Sequence, residues 1–331
     1  MSRSLRASVA LLAGLAAAAP VFATAGPWAE TPHSKVRLVS RWATAPAGGD
    51  AGLGLEFALA PGWHVYWKNS GDAGFPPRFA PSPGTPFEGI AVRFPAPRRF
   101  ALPGDLVAFG YEGEVVYPLD GALAASAPSP ARLAGRLDYL VCAEECIPYR
   151  ADLALELPVG EAAEDPALAP AVDAWRARLP IPAAEHDPSV QVSARAEKGD
   201  YPWSTLELGL AAPGLVAAAP DLFFAPQDRL ELGRPELVAT ASGPRFRVRF
   251  RQLDETKPLP PDFTVEWTAT GFELGGRPLA LEGRAAISPG APAATPRRIS
   301  LPLVAAAGLL IGALAALVRR QFRQIRNGAH P

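Results

Sequence analysis

The chain has 331 residues, a formal net charge of −1 and 49% hydrophobic residues. With 32 basic against 33 acidic residues and no long block of one sign, it lacks the electrostatic footprint of a nucleic-acid binder. Its 38 prolines are roughly twice the usual share; they disfavour long helices and suit β-rich domains with many turns.

Residues 1–25 read "MSRSLRASVALLAGLAAAAPVFATA". Arg3 and Arg6 precede an apolar run that closes on Ala23-Thr24-Ala25, the small-residue pattern of a cleavage site. The segment predicts a secretory signal peptide of bacterial type. An uncleaved anchor is the competing reading, and the apolar core is short for a bilayer. Export would place the mature chain in an oxidising compartment, where a disulfide persists.

Residues 26–160 read as a β-sandwich. "GLGLEFALAPG" alternates Leu53, Leu55, Phe57 and Leu59 before Pro61-Gly62, and "WHVYWKN" alternates Trp63, Val65 and Trp67. "KVRLVSRWAT", "GIAVRFPAP", "GEVVYPLDG", "RLDYLVC" and "ADLALEL" supply the other candidate strands. Period-two patterning broken by Pro and Gly at this spacing is the sandwich signature. Residues 161–185 change character. Asp165 is a helix N-cap followed by Pro166, and Leu168, Val172, Trp175 and Leu179 form one apolar stripe that stops at Pro180. This predicts a short connecting helix.

A second sandwich is expected over 186–288, from "SVQVSA", "STLELGLAA", "DLFFAP", "RFRVRFRQL" and "DFTVEWTATG". In "RFRVRFR", Phe246, Val248 and Phe250 face one way while Arg245, Arg247, Arg249 and Arg251 face the other. A solvated strand face explains that stripe; a docking surface for an acidic partner is the sharper reading. Residues 289–298 form a flexible linker. Residues 299–318 are twenty uncharged positions, long enough for a transmembrane helix. Arg319, Arg320, Arg323 and Arg326 follow, so the tail 319–331 is expected in the cytoplasm and the ectodomain in the periplasm, anchored to the inner membrane. The expected fold class is therefore all-β, two sandwiches joined by a short helix, plus one C-terminal transmembrane helix.

Cys142 and Cys146 are the only cysteines. As a staple, a C-x3-C ring contributes only about 2 kcal/mol by loop-closure entropy. Bridged cysteines need Cα atoms within roughly 4.4–6.8 Å, whereas four extended steps cover about 13 Å. A bridge would thus make the pair cap a hairpin, with Ala143, Glu144 and Glu145 at an exposed tip. Glu144 and Glu145 disfavour a nearby thiolate, and Arg150 offsets part of that. Two cysteines do not complete a zinc site, and His33, His64, His186 and His330 show no spacing that would. His64, inside "WHVYW", reads as a packed core residue. No metal and no cofactor is predicted. Staple and redox pair both stand at this point.

"GWHVYWKNSGDAGFPPRF" (62–79), "FPAPRRF" (94–100), "FGYEGEVVYPL" (109–119) and "VCAEECIPYRADLAL" (141–155) occur in order. Together they resemble the N-terminal periplasmic domain of the DsbD-type thiol:disulfide interchange proteins, nearest in pattern to the suppressor-of-copper-sensitivity B branch. The resemblance implies an immunoglobulin-like fold and a class of activity, thiol:disulfide oxidoreduction. It implies that Cys142 and Cys146 are the catalytic redox pair, with Cys146 forming the mixed disulfide. It implies an aromatic cap loop at Phe109, Gly110 and Tyr111. The implied partners are periplasmic thioredoxin-like or disulfide isomerase proteins and a separately encoded membrane-embedded reductase, in settings such as cytochrome c biogenesis or copper tolerance. The chain departs from larger family members, which continue into a multi-helix membrane domain. A non-catalytic binding or assembly protein with a structural Cys142–Cys146 disulfide is the alternative.

Overall fold

The computed structural model describes residues 24–183, 191–198, 202–240, 243–257, 259–260 and 262–287. Two compact units divide them. The first runs to Ile181 and takes in Arg277–Leu281; the second covers Pro182–Gly276 and resumes at Glu282. Among the described residues the named elements are β-strands apart from one short helix.

The first unit carries β1 (Ala29–Glu30), β2 (Ser34–Ser40), β3 (Trp42–Thr44), β4 (Leu53–Leu59), β5 (His64–Gly71), β6 (Arg78–Pro81), β7 (Phe87–Val92), β8 (Arg98–Ala101), β9 (Val107–Glu112), β10 (Glu114–Leu123), β11 (Ala131–Cys142), β12 (Cys146–Leu157) and β13 (Ala163–Glu164), followed by α1 (Ala169–Arg176). One sheet runs β1-β2-β4-β10-β7. The other runs β12-β11-β5-β9-β8, with β6 also on β11.

Alternation decides which residues lie between the sheets. Leu55 and Phe57 on β4 pair with Leu38 and Val36 on β2, and all four are fully buried. Val65, Trp67, Tyr139 and Val141 are fully buried from the other sheet. The Phe57 ring meets Tyr139 edge-on at 5.2 Å and Tyr117 at 5.6 Å, so the aromatic core links both sheets. Each large apolar side chain removed from water in this way contributes about 1.5–3 kcal/mol. Two buried hydroxyls are satisfied: that of Tyr117 donates to the Tyr66 carbonyl at 2.8 Å, and that of Tyr139 shares a 3.1 Å hydrogen bond with Ser34.

The helix is shorter than its apolar stripe. Asp165 accepts from the Ala167 and Leu168 amides, but residues 166–168 form a turn; α1 begins at Ala169, its N-cap is Leu168, and no side chain caps it. Val172 on α1 packs with Val39 and Val116, with Leu168 and Trp175 beside them.

In the second unit, β14 (Ile181–Pro182) falls at the division. After it come β15 (Gln191–Lys198), β16 (Ser204–Ala211), β17 (Leu215–Phe224), β18 (Leu230–Leu232), β19 (Glu236–Thr240), β20 (Gly243–Gln252), β21 (Thr264–Leu274) and, across the division again, β22 (Arg277–Ala286). One sheet runs β15-β16-β20-β18, with β19 also on β20; β21 lies between β17 and β22 in another. Gly275 and Gly276 close the β21–β22 hairpin with φ of 59° and 73°, the left-handed pair that a two-residue turn of this kind needs. Leu206, Leu208, Phe246 and Val248 from the first of these sheets are buried, as are Leu222, Trp267 and Phe272 from the other.

The expected fold class needs a correction. It included a C-terminal transmembrane helix, but no helix among the described residues is long and apolar enough to cross a membrane. At eight residues, α1 reaches about 12 Å, against about 30 Å of hydrocarbon. The architecture described is mostly β with one short helix. The expected span 299–318, its flanks 289–298 and 319–331, residues 1–23 of the expected signal peptide 1–25, His186 and His330 all lie outside the described residues.

Candidate functional site

β11 and β12 form an unbroken antiparallel ladder from Ala131↔Leu157 to Cys142↔Cys146. The strands are rich in Leu, Tyr and Val, and the turn contains short and acidic residues that pack against little. Residues 143–145 make that turn, with the Ala143 amide donating to the Glu145 carbonyl at 3.1 Å. Cys142 and Cys146 are joined as a disulfide, their Cα atoms 4.2 Å apart. Glu144, Glu145 and Cys146 are exposed, while Cys142 is fully buried. Arg150, expected to temper the acidic tip, is instead paired with Asp138, its cross-strand neighbour, at 2.8 Å.

Strand parity explains the burial of Cys142. Val65, Trp67, Tyr139 and Val141 fill the space between the sheets, so the alternate residues His64, Tyr66, Leu140 and Cys142 share the opposite face of their sheet. There Tyr66, Ala108, Leu140 and Cys142 form a buried cluster, and Phe75, Phe100 and Leu102 pack against it. The wall on one side is the segment between β5 and β6. A Cβ on Gly74 would come within 2.3 Å of the Tyr66 ring, so bare backbone lies on that ring. The other wall is the β8–β9 hairpin, which supplies Phe100 and Leu102.

The Tyr66 hydroxyl donates to Cys142 Sγ at 2.6 Å and sits 3.5 Å from Cys146 Sγ. Burial pushes the Tyr66 phenol up to about 12, so it stays a protonated donor at any physiological pH. His64, whose Cα pairs with that of Cys142, stacks on Phe100 at 5.1 Å and meets Tyr66 edge-on at 5.2 Å. It is a packed residue, but its Nε2 has no hydrogen-bond partner among the described residues. Burial lowers its pKa.

Phe109, Gly110 and Tyr111 are not a loop over the disulfide; they lie within β9. Tyr111 is buried, donates to the Pro95 carbonyl at 2.6 Å and meets Tyr117 edge-on at 5.2 Å. Phe109 shares its side of β9, while Ala108, Gly110 and Glu112 alternate onto the side of the disulfide cluster. Gly110 has a backbone role: a Cβ there would lie 1.9 Å from the Val65 carbonyl oxygen, so only glycine lets β9 pack this closely on β5. Of the residues that cover Cys142, only Tyr66 has a trace in the pattern: it stands between Val65 and Trp67 and so falls on the opposite face, but nothing in the sequence says what it meets there.

The arrangement distinguishes the two sulfurs of one bond. An incoming thiolate reaches the exposed Cys146 side, and displacement along the S–S axis expels Cys142 into a position already holding a hydrogen-bond donor. A thiolate accepting such a bond is a better leaving group than one in a bare apolar pocket.

Residues 35–158 match the family model described as "Thiol:disulfide interchange protein DsbD, N-terminal". In three dimensions the chain is similar to the N-terminal periplasmic domain of ScsB from Proteus mirabilis, with a TM-score of 0.60 at 21% identity, covering 81% of this chain and 99% of that one. That similarity extends past the first unit and establishes a shared fold. No curated protein matches the chain.

Proposed function

Starting from residues 35–158 as a DsbD-type N-terminal domain bearing the Cys142–Cys146 disulfide, we propose that the chain is a periplasmic exchange module that carries electrons through this pair. A membrane-embedded reductase supplies them, and thioredoxin-like or disulfide isomerase proteins receive them. In the delivering direction, the Cys146 thiolate attacks one sulfur of an oxidised partner. A mixed disulfide forms and the partner's first thiolate leaves. Cys142, deprotonated, then attacks Cys146 Sγ, closing the intramolecular bond and releasing the partner's second sulfur as thiolate. Two electrons pass to the partner, and two protons follow. In the recharging direction a reductase thiolate attacks Cys146 Sγ and Cys142 departs, accepting the Tyr66 hydrogen bond as it does so.

The observation that carries this reading is the difference in burial across one disulfide. Cys146 is exposed, Cys142 is enclosed, and the Tyr66 hydroxyl lies 2.6 Å from the enclosed sulfur against 3.5 Å from the exposed one. A staple needs no such asymmetry, and a ring this small adds only about 2 kcal/mol. The export signal at the N-terminus and the periplasmic origin of the ScsB domain support the compartment.

Redox titration in glutathione or dithiothreitol buffers tests the proposal. An exchange pair equilibrates at a midpoint above about −300 mV; a midpoint well below that marks a structural bridge and leaves the binding or assembly reading in its place.

A further inference from the structure

The arginine stripe of the second unit belongs to none of this chemistry. Arg245, Arg247, Arg249 and Arg251 alternate along β20 with buried Phe246, Val248 and Phe250, on the opposite side of the strand. Three are engaged within the sheet by two carboxylates. Arg245 and Arg247 both pair with Glu207 on β16, at 3.2 and 3.0 Å, and Arg251 pairs with Glu231 on β18. The Arg247 and Arg245 hydrogen bonds hold the Glu207 carboxyl below its usual range.

Arg249 differs. No carboxylate among the described residues pairs with it. Its guanidinium lies over the Trp203 ring at 4.8 Å, with Arg251 over the same ring at 5.0 Å. Stacking occupies the face of a guanidinium and leaves its in-plane N–H edges free, so Trp203 fixes Arg249 without using its donors. Arg234, in the segment between β18 and β19, also has no carboxylate partner among the described residues. These side chains converge on a cleft of about 230 Å³ lined by Trp203, Gly233, Arg234, Glu236, Arg247 and Arg249. Gly233 donates its amide to the Arg249 carbonyl at 2.7 Å, which folds the segment tightly against β20. The cleft thus holds two cations without a carboxylate partner among the described residues, Arg234 and Arg249, beside one carboxylate, Glu236, with the third cation, Arg247, already paired to Glu207.

The cleft opens beside a strand edge. β19 pairs with β20 on one side and has no strand of the described residues on the other. A free edge of this kind accepts an extended chain through main-chain hydrogen bonds, and side chains every second residue then fall on one face.

We propose that this cleft is a docking site for an extended acidic segment of a partner protein, which adds beside β19 and places a carboxylate on Arg234 and Arg249. Charge complementarity selects the acidic side chain, and the strand edge selects a peptide over a free small anion. The site stands apart from the cysteine pair, and its test involves no redox step.

Fluorescence anisotropy on the full chain, with a labelled octapeptide of alternating glutamate and threonine, provides that test. The expected result is saturable binding that weakens at least tenfold in Arg249→Glu and in Arg234→Glu. Binding should also be lost with the lysine counterpart and with a glutamate peptide N-methylated at alternate amides. Arg249→Gln serves as the milder variant, and the melting midpoint of each protein verifies its folding. The proposal is overturned if the acidic peptide does not bind, if the arginine variants bind it as the parent does, or if inorganic phosphate competes as well as free glutamate peptide.

Discussion

The Tyr66 hydroxyl donates to Cys142 Sγ, 2.6 Å away, from the adjacent strand of the same sheet. The donor is aimed at the sulfur that leaves when Cys146 is attacked. Tyr66→Phe keeps the ring in place and removes only the hydrogen bond. Hydrogen bonds to charged acceptors contribute about 1.5–3 kcal/mol, so reduction of the disulfide should slow by roughly 10–100-fold in stopped-flow measurements. Because burial holds the phenol near 12, the ratio of parent to variant rates should stay flat between about pH 6 and pH 9. A ratio that collapses across that window would remove the hydroxyl from the mechanism.

The cysteines should behave unequally when substituted singly. Cys142→Ser leaves the exposed Cys146 without a resolving thiol, so mixed disulfides with glutathione or an oxidised thioredoxin-like protein should accumulate. Cys146→Ser leaves only a buried thiol and should trap little. Intact-protein mass spectrometry reads both, and equal trapping by the two variants contradicts the assignment of Cys146 as the attacking residue.

The cover over Cys142 is assigned to Phe75, Phe100 and Leu102 in place of Phe109 and Tyr111. Phe100→Ala should therefore speed reduction by dithiothreitol severalfold by opening a path to the enclosed sulfur. Phe109→Ala should leave that rate within about twofold, since its side chain is on the other side of β9. The reverse order would restore the cap to β9.

His64 is buried with its pKa lowered, so the unfolded chain takes up its proton more readily than the folded one. Stability from this group is complete above the unfolded value of about 6.5 and declines as the pH falls through it. His64→Phe fills the same stack on Phe100 without a titrating group. The parent should lose more thermal stability than the variant between pH 7.5 and pH 5, by calorimetry. Equal losses would show that His64 contributes nothing to acid sensitivity.

Gly110→Ala drives a methyl group to within 1.9 Å of the Val65 carbonyl and must separate β5 from β9. Overpacking of this kind costs about 1–3 kcal/mol or more, which should lower the melting midpoint of the first unit by several degrees. Gly113→Ala meets no atom within 4 Å and strains only its φ of 69°, so its loss should be the smaller of the two.

Much of the β pattern was legible in the residues. Leu53, Leu55 and Phe57 alternate so regularly that their burial follows from the period alone, and the leucines of "ADLALEL" do the same for β12. Short strands without alternation, such as β6 and β8, were not legible, because pairing with β11 and β9, and not a pattern of their own, makes them strands. The cysteine hairpin was readable as a geometric requirement of any bridge. Its surroundings were not. Whether a residue of β9 faces the disulfide or the core depends on a parity that one position inverts, and "FGYEG" does not declare it. Tyr66 was hidden for a related reason: it stands between two residues that look like core, and its partner sulfur is 76 positions away.

The cysteine bond is the last rung of a ladder held by every rung before it. Opening the bond therefore cuts a link that the neighbouring backbone pairs already hold closed. The strands can stay registered in either oxidation state, so a delivered electron pair need not be accompanied by unfolding and refolding. The cost of cycling falls on the side chains around Tyr66, and the scaffold that presents them to a partner is the same before and after each turnover.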